Sequence, residues 1–118
     1  MRVGELDDVT YDLEVDGELV RRTVERRVWQ RGAWATVAMV FQDRDRDGAW
    51  KPAKLAVIRL QRVRGAWKKH AAITLAGGDA LELADAIAGW SAAIGNADDA
   101  RDTDDAFRDM DDAGDADA

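Results

Sequence analysis

The chain has no cysteine, one proline, one histidine, one tyrosine and two phenylalanines in 118 residues. Without cysteine there are no disulfides, no thiolate metal ligands and no thiol nucleophile, which fits a reducing compartment. A cytoplasmic location is the resulting expectation. No apolar run approaches the roughly 18 residues of a membrane span, and MRVGELDDVT at the N-terminus lacks the apolar stretch of a signal peptide. No membrane association is expected. His70 falls mid-strand beside Lys68 and Lys69, with no serine or acid foreseeable next to it, so no catalytic triad can be assembled around it. The carboxylates crowd into the C-terminal segment, where nothing would hold two of them at a fixed separation or raise a pKa by burial. No enzyme and no cofactor is therefore expected.

What the chain does have is segregated charge. The net charge of −7 is spread unevenly. Residues 18–70 hold fourteen Lys and Arg against five acids, whereas residues 1–17 hold one Arg against six acids. Residues 71–94 hold three acids and no base, and residues 95–118 hold ten Asp against two Arg. Four of the five Trp lie in the basic stretch. A polyanion approaching residues 18–70 meets a positive local field whatever the total charge.

The length suits one domain, since domains cluster near about 100 to 150 residues, and a core this small makes oligomerisation a plausible supplement to stability. Val9, Tyr11, Leu13 and Val15 alternate with polar residues and predict a first strand, closed by the turn pair Asp16-Gly17. Residues 19–30 fit both a helix repeat and a strand through Val20, Val24 and Val28. The β-branched content and the flanking turn signals, Asp16-Gly17 and Arg31-Gly32, favour a strand. Residues 33–42 place Val37, Met39 and Phe41 on one face and Trp34, Thr36, Ala38 and Val40 on the other. Residues 53–63 place Ala56, Ile58 and Leu60 opposite Leu55, Val57, Arg59 and Gln61. Past the turn at Arg64-Gly65-Ala66, residues 67–75 alternate Trp67, Lys69, Ala71, Ile73 and Leu75 against Lys68, His70, Ala72 and Thr74.

After Gly77-Gly78 the period changes. Asp79 and Glu82 have capping-box spacing, and Leu83, Ile87, Trp90 and Ile94 recur at helical intervals, predicting one amphipathic helix over about 80–94, ended by Gly95-Asn96. The fold class expected is α+β: a twisted antiparallel sheet of four to five strands, then one C-terminal helix, as a single domain over residues 1–95. Residues 96–118 are too charged and too poor in apolar side chains to offset their ordering entropy, and are expected to form a disordered acidic tail.

Two motifs suggest chemistry. Asp43-x-Asp45-x-Asp47-Gly48 matches the first half of a calcium loop, but position 12 is Lys54 and the flanks read as strands. A solvated turn is expected there, with Asp43, Asp45 and Asp47 only a weak cation candidate and no metal site assigned. Gly77-Gly78 at a strand-to-helix junction could admit a phosphate, yet Asp79 and Glu82 put negative charge where the anion would sit.

The larger constellation is the basic sheet, with Arg21, Arg22, Arg26, Arg27 and Arg31 in the second strand, Lys54, Arg59, Arg62 and Arg64 in the fourth, Lys68 and Lys69 in the fifth, and Trp29, Trp34, Trp50 and Trp67 interleaved. Proteins that track single strands combine a positive groove for phosphates with aromatic platforms for bases. The plainer alternative is that Arg stems cover apolar surface, their heads are merely solvated, and the Trp residues are core. Two functional readings stay open: a non-enzymatic protein that binds single-stranded DNA or RNA with low sequence specificity, and an interaction module whose basic sheet receives an acidic protein partner. The acidic tail would then be either an internal competitor for that surface, offering Phe107 and Met110 to a protein partner, or a solubilising appendage.

The stretch WATVAMVFQDRDRDGAWKPAKLAVIRLQRVRGAWKKHAAITLAGGDALELADAIAGW, about half the chain, resembles the family of positive cofactor four, a transcription coactivator, and the related Whirly-type single-stranded DNA-binding domains. Asp47-Gly48-Ala49-Trp50-Lys51-Pro52 is similar to that family's hairpin connection, and Lys69-His70-Ala71-Ala72-Ile73-Thr74-Leu75 to its last strand before the helix. The resemblance implies a homodimer joined through its helices, with curved sheets that bind single strands. Carried over by position, it implies stacking at Trp34, Trp50 and Trp67, with phosphate contacts at Lys54, Arg59, Arg62, Arg64, Lys68 and Lys69. Arg27 joins this set from the basic strand. Leu83, Ile87 and Trp90 would bury against the sheet and the dimer partner.

Overall fold

A computed structural model describes residues 2–95. The expected acidic tail lies outside the described residues. The chain divides into two units, Met1–Leu81 and Glu82–Ala118.

The first unit is an antiparallel sheet curled into a half-barrel, built from β1 (Arg2–Val3), β2 (Leu13–Val15), β3 (Glu18–Arg31), β4 (Trp34–Asp43), β5 (Lys54–Val63) and β6 (Ala66–Ala76), in the spatial order β1-β6-β5-β4-β3-β2. It has six strands where four to five were expected, because both ends of the N-terminal segment pair with the sheet. The long strands follow the alternating residues closely, and tight turns set their pairing. Asp16-Gly17 joins β2 to β3 and Arg64-Gly65 joins β5 to β6, each with both residues at positive φ, the type I′ geometry that matches strand twist. Gly32-Ala33 joins β3 to β4 with positive φ at Gly32 alone, as in a type II′ turn.

The predicted first strand over residues 9–15 is only partly one. Residues 13–15 pair with β3 at one edge of the sheet, and residues 2–3 pair with β6 at the other. Residues 4–12 therefore cross the four intervening strands as a strap, a distance of roughly 24 Å along the sheet at the usual strand spacing. A turn of 3-10 helix at Leu6–Asp8 shortens the crossing. Val9 of the strap is fully buried, in a core with Ala35, Val37, Met39, Ile58, Leu60 and Trp67, against which Val3, Leu6, Tyr11 and Val28 pack. Arg26 Nη1 fastens the strap by donating to the carbonyl oxygens of Leu6 (3.1 Å), Asp7 (2.8 Å) and Val9 (2.9 Å). At the other end Tyr11 meets Phe41 edge-on at 4.8 Å, and Arg21 covers both rings while pairing with Asp43 at 2.7 Å.

Two bulges change which residues share a face. In β3, Thr23 opposes Phe41 but Glu25 opposes Val40, so Val24 is the extra residue and is half exposed instead of sharing a face with Val28. In β6, Arg59 opposes Ala71 but Leu60 opposes Lys69, so His70 is the extra residue. Trp67 thus faces the strap, whereas Ala71, Ile73 and Leu75 face the other way. The single alternation expected for residues 67–75 is broken there.

Helix α1 (Gly77–Gly89) starts directly from the end of β6, three residues earlier than expected. Asp79 consequently sits inside its first turn, where its charge complements the helix dipole, and is not the capping residue. Gly77 fits here because a side chain would meet the Ala53 carbonyl at 3.1 Å. The helix breaks at Gly89-Trp90, consistent with the low helix propensity of glycine, and a last turn, α2 (Ser91–Ile94), ends at Gly95 with φ of 96°. Neither helix has a buried residue; Leu83, Ile87 and Trp90 are exposed, so they are not part of the chain's own core.

Candidate functional site

One face of the sheet carries the core and the strap, and the other, the outer face, brings together a set of basic and aromatic residues. Pairing places Arg22, Glu25, Arg27, Trp29 and Arg31 of β3 on the outer face, next to Gln42, Val40, Ala38, Thr36 and Trp34 of β4. Leu55, Val57, Arg59 and Gln61 of β5 continue it, followed by Leu75, Ile73, Ala71 and Lys68 of β6.

The polar residues gather toward the two ends of this face. At one end Arg59 lies over the Trp34 ring, 5.0 Å from its centroid, and donates to Thr36 Oγ1 at 3.1 Å. His70 meets the same ring edge-on at 5.1 Å, placed there by the β6 bulge. Arg27 lies 5.2 Å from the Trp29 ring, and Trp29 is 49% exposed. At the other end Trp50 carries two guanidinium groups, Arg22 at 4.2 Å and Arg44 at 4.6 Å. Gln42 Oε1 accepts from Arg22 Nε (3.0 Å) and Nη2 (2.8 Å), and Gln42 Nε2 donates to the Lys51 carbonyl at 3.1 Å, so Arg22 is held beside the ring. Arg44 Nη1 reaches Glu18 at 3.2 Å, while its Nε is buried and bonds nothing among the described residues. Between the two ends lies an apolar strip of Ala38, Val40, Leu55, Val57 and Ile73, with Ile73 52% exposed.

Of the ten residues expected to touch nucleic acid, Arg27, Trp34, Trp50, Arg59 and Lys68 belong to this surface. Trp67 does not. It is 4% exposed and packed beneath the strap, so its assignment as a stacking platform gives way to a core role. Arg62 faces the strap side, 5.6 Å from the Trp67 ring; Lys54 opposes Phe41 on that side, Lys69 opposes Leu60 at the bulge, and Arg64 occupies the β5–β6 turn. The surface adds Arg22, Trp29 and Arg31, which belonged to the wider basic set, together with Arg44 and His70. Arg44 lies in the segment expected to be a solvated turn and is brought to the surface by its bridge with Trp50, and His70 gives no signal without the bulge.

Comparison with protein-family models, with curated proteins and with solved structures finds no match to this chain. The chemistry of the site therefore rests on its own geometry.

The aspartate loop is built as a turn. Asp45 Oδ1 accepts from the backbone N–H groups of Asp47 and Ala49, both at 2.9 Å, and Gly48 takes φ of 86° to close it. Asp43 is engaged by Arg21 on the strap side. Among the described residues no group of three or more metal-ligating side chains is placed to hold an ion.

Proposed function

We propose that the outer face binds single-stranded nucleic acid, DNA or RNA, without performing a reaction on it. One observation carries this reading: Arg22, Arg27, Arg31, Arg44, Arg59 and Lys68 share a sheet face with Trp29, Trp34 and Trp50. The acids among them are few: Glu25 is registered to that face, and Glu18 is taken up by Arg44. Phosphates would draw the guanidinium groups off the indole rings, and the uncovered rings would accept bases, each stack contributing about 1 to 3 kcal/mol. Release of Arg44 from Trp50 would also free a buried donor, Nε, that bonds nothing among the described residues, which offsets part of what is lost at Trp50 and Glu18. Backbone and stacking contacts of this kind suit low sequence specificity. They leave DNA and RNA equivalent unless a 2′-hydroxyl finds its own partner.

Titration with an oligo-dT strand, read by tryptophan fluorescence, tests the reading. Quenching at low salt that fades as salt rises is expected; no quenching at low salt would overturn it.

The apolar strip through Val40, Val57 and Ile73 favours a second reading, a module that receives an acidic protein segment bearing apolar residues. In that case an acidic peptide saturates the face while oligo-dT leaves the fluorescence unchanged. The suggested role of the chain's own tail in modulating this surface falls on residues outside those described. Among the described residues no helix is long and apolar enough to cross a membrane.

A further inference from the structure

The two edges of the sheet are built differently. Along β3, beyond its short pairing with β2, the edge carries Arg22, Glu25, Arg26, Arg27 and Arg31, is bent by the bulge at Val24, and has the Thr23 N–H occupied by Asp12 at 2.6 Å. Charges and bulges of this kind are how sheets discourage edge-to-edge pairing. Along β6, β1 covers only Trp67 and Lys68. Past Lys69 and His70, the stretch Ala71-Ala72-Ile73-Thr74-Leu75-Ala76 bears no charge, and no strand lies beyond it among the described residues. Ala71 to Thr74 and Ala76 are exposed. Alternate residues of an edge strand turn their N–H and C=O groups outward, so this stretch presents unpaired backbone.

We propose that β6 is a strand-pairing edge whose occupant is a second copy of this chain, joined antiparallel about a two-fold axis near Ile73. On such an axis each residue close to the centre meets itself or its near neighbour, so a charged edge would repel its own copy. The β6 edge is free of charge over the length that needs it. Charge complementarity at the flanks supports a copy as the occupant. A register centred on Ile73 pairs Ala71 with Leu75 of the partner subunit and sets Lys69 beside Gly77 of the partner subunit, two residues from Asp79 of the partner subunit. The cationic start of β6 thereby meets the acidic first turn of the other helix, twice by symmetry. Rotation about an axis normal to the sheet keeps both outer faces on the same side, so the two basic surfaces face the same way across an uncharged seam. The pairing itself does not depend on what that surface binds.

Sedimentation of the full chain over a range of concentrations tests this. A dimer is expected, converted to monomer by Ile73→Lys or by Thr74→Lys, with the far-ultraviolet circular dichroism unchanged. Lys69→Asp and Asp79→Lys are each expected to weaken the dimer at least tenfold, and the double variant to restore it. Because the chain has no cysteine, Ile73→Cys introduces a single thiol per copy, which a short bismaleimide, by adding to one thiol at each end, should join into a covalent dimer. Val24→Cys on the opposite edge should give no covalent dimer under the same treatment. A monomer at every concentration would overturn the proposal. So would a dimer that survives both lysine variants and is lost in Ile87→Asp, which would place the contact on the helix, or equal crosslinking at positions 24 and 73.

Discussion

Arg26 Nη1 donates to the carbonyl oxygen of Val9 at 2.9 Å, joining the middle of β3 to the one strap residue that is completely buried. The same nitrogen also serves Leu6 and Asp7, so a single guanidinium holds the strap over the core.

Arg26→Ala is accordingly expected to destabilise the protein by about 1.5 to 3 kcal/mol, the usual range for hydrogen bonds to a charged group. Arg26→Lys should recover part of the loss, since it keeps the charge without the planar fork. Urea unfolding would show a lower midpoint, and amide exchange of β4 and β5 should accelerate as Val9 lifts from Val37 and Met39.

Trp34 and Trp67 lie on opposite faces of one sheet and should separate binding from stability. Trp34→Leu removes an outer-face platform and is expected to weaken oligo-dT binding about five- to 150-fold, the equivalent of one lost stack, while leaving the melting temperature nearly unchanged. Trp67→Ala empties a core position and should cost about 3 to 5 kcal/mol of stability, with the affinity of the molecules that remain folded unaltered. Equal losses of affinity in the two variants would contradict the division of faces.

The contrast between these tryptophans also marks how far the sequence could be read. The four long strands and their turns were legible, because alternation over ten residues bounded by Asp-Gly or Arg-Gly dipeptides has few other solutions. The bulges at Val24 and His70 were not, since one inserted residue leaves no compositional trace, yet each reverses the faces beyond it. That reversal explains why Trp67 and Ile73, both odd-numbered, face opposite ways, and why Trp67 and Lys69 lie off the outer face, whereas Lys54 and Arg62 are off it by the plain alternation of β5 and Arg64 by its place in the turn. The strap was equally hidden. Val3, Leu6 and Val9 recur every three residues in an acidic stretch, a pattern that fits neither a regular strand nor a helix and acquires meaning only from the sheet beneath.

Salt dependence gives a sharper measure of which cations face the ligand. For single strands each neutralised phosphate contributes a slope of about −0.7 to log K against log salt. Arg27→Gln and Arg59→Gln should each reduce the magnitude of the slope by about that amount. Lys54→Gln, across from Phe41 on the strap side, should leave it unchanged, although residues 27, 54 and 59 look equally basic in sequence.

The aspartate loop is expected to behave as a turn when titrated. Asp45 spends one carboxylate oxygen on two backbone N–H groups, so Asp45→Ala should cost about 0.5 to 2 kcal/mol, the range for losing a comparable cap, while Asp45→Asn retains an acceptor and should cost less. Gly48→Ala forces a β-carbon into the left-handed region at φ of 86° and should cost about 1 to 2 kcal/mol. Asp43→Asn breaks a partly shielded ion pair with Arg21 and loosens the Tyr11–Phe41 end of the strap, so its effect should be largest on amide exchange near Val9 and Tyr11. Calcium should leave the melting temperature of the parent and of Asp45→Asn alike. A calcium-dependent rise in the parent that Asp45→Asn abolishes would show instead that the carboxylates leave their amide and guanidinium partners to converge on a cation.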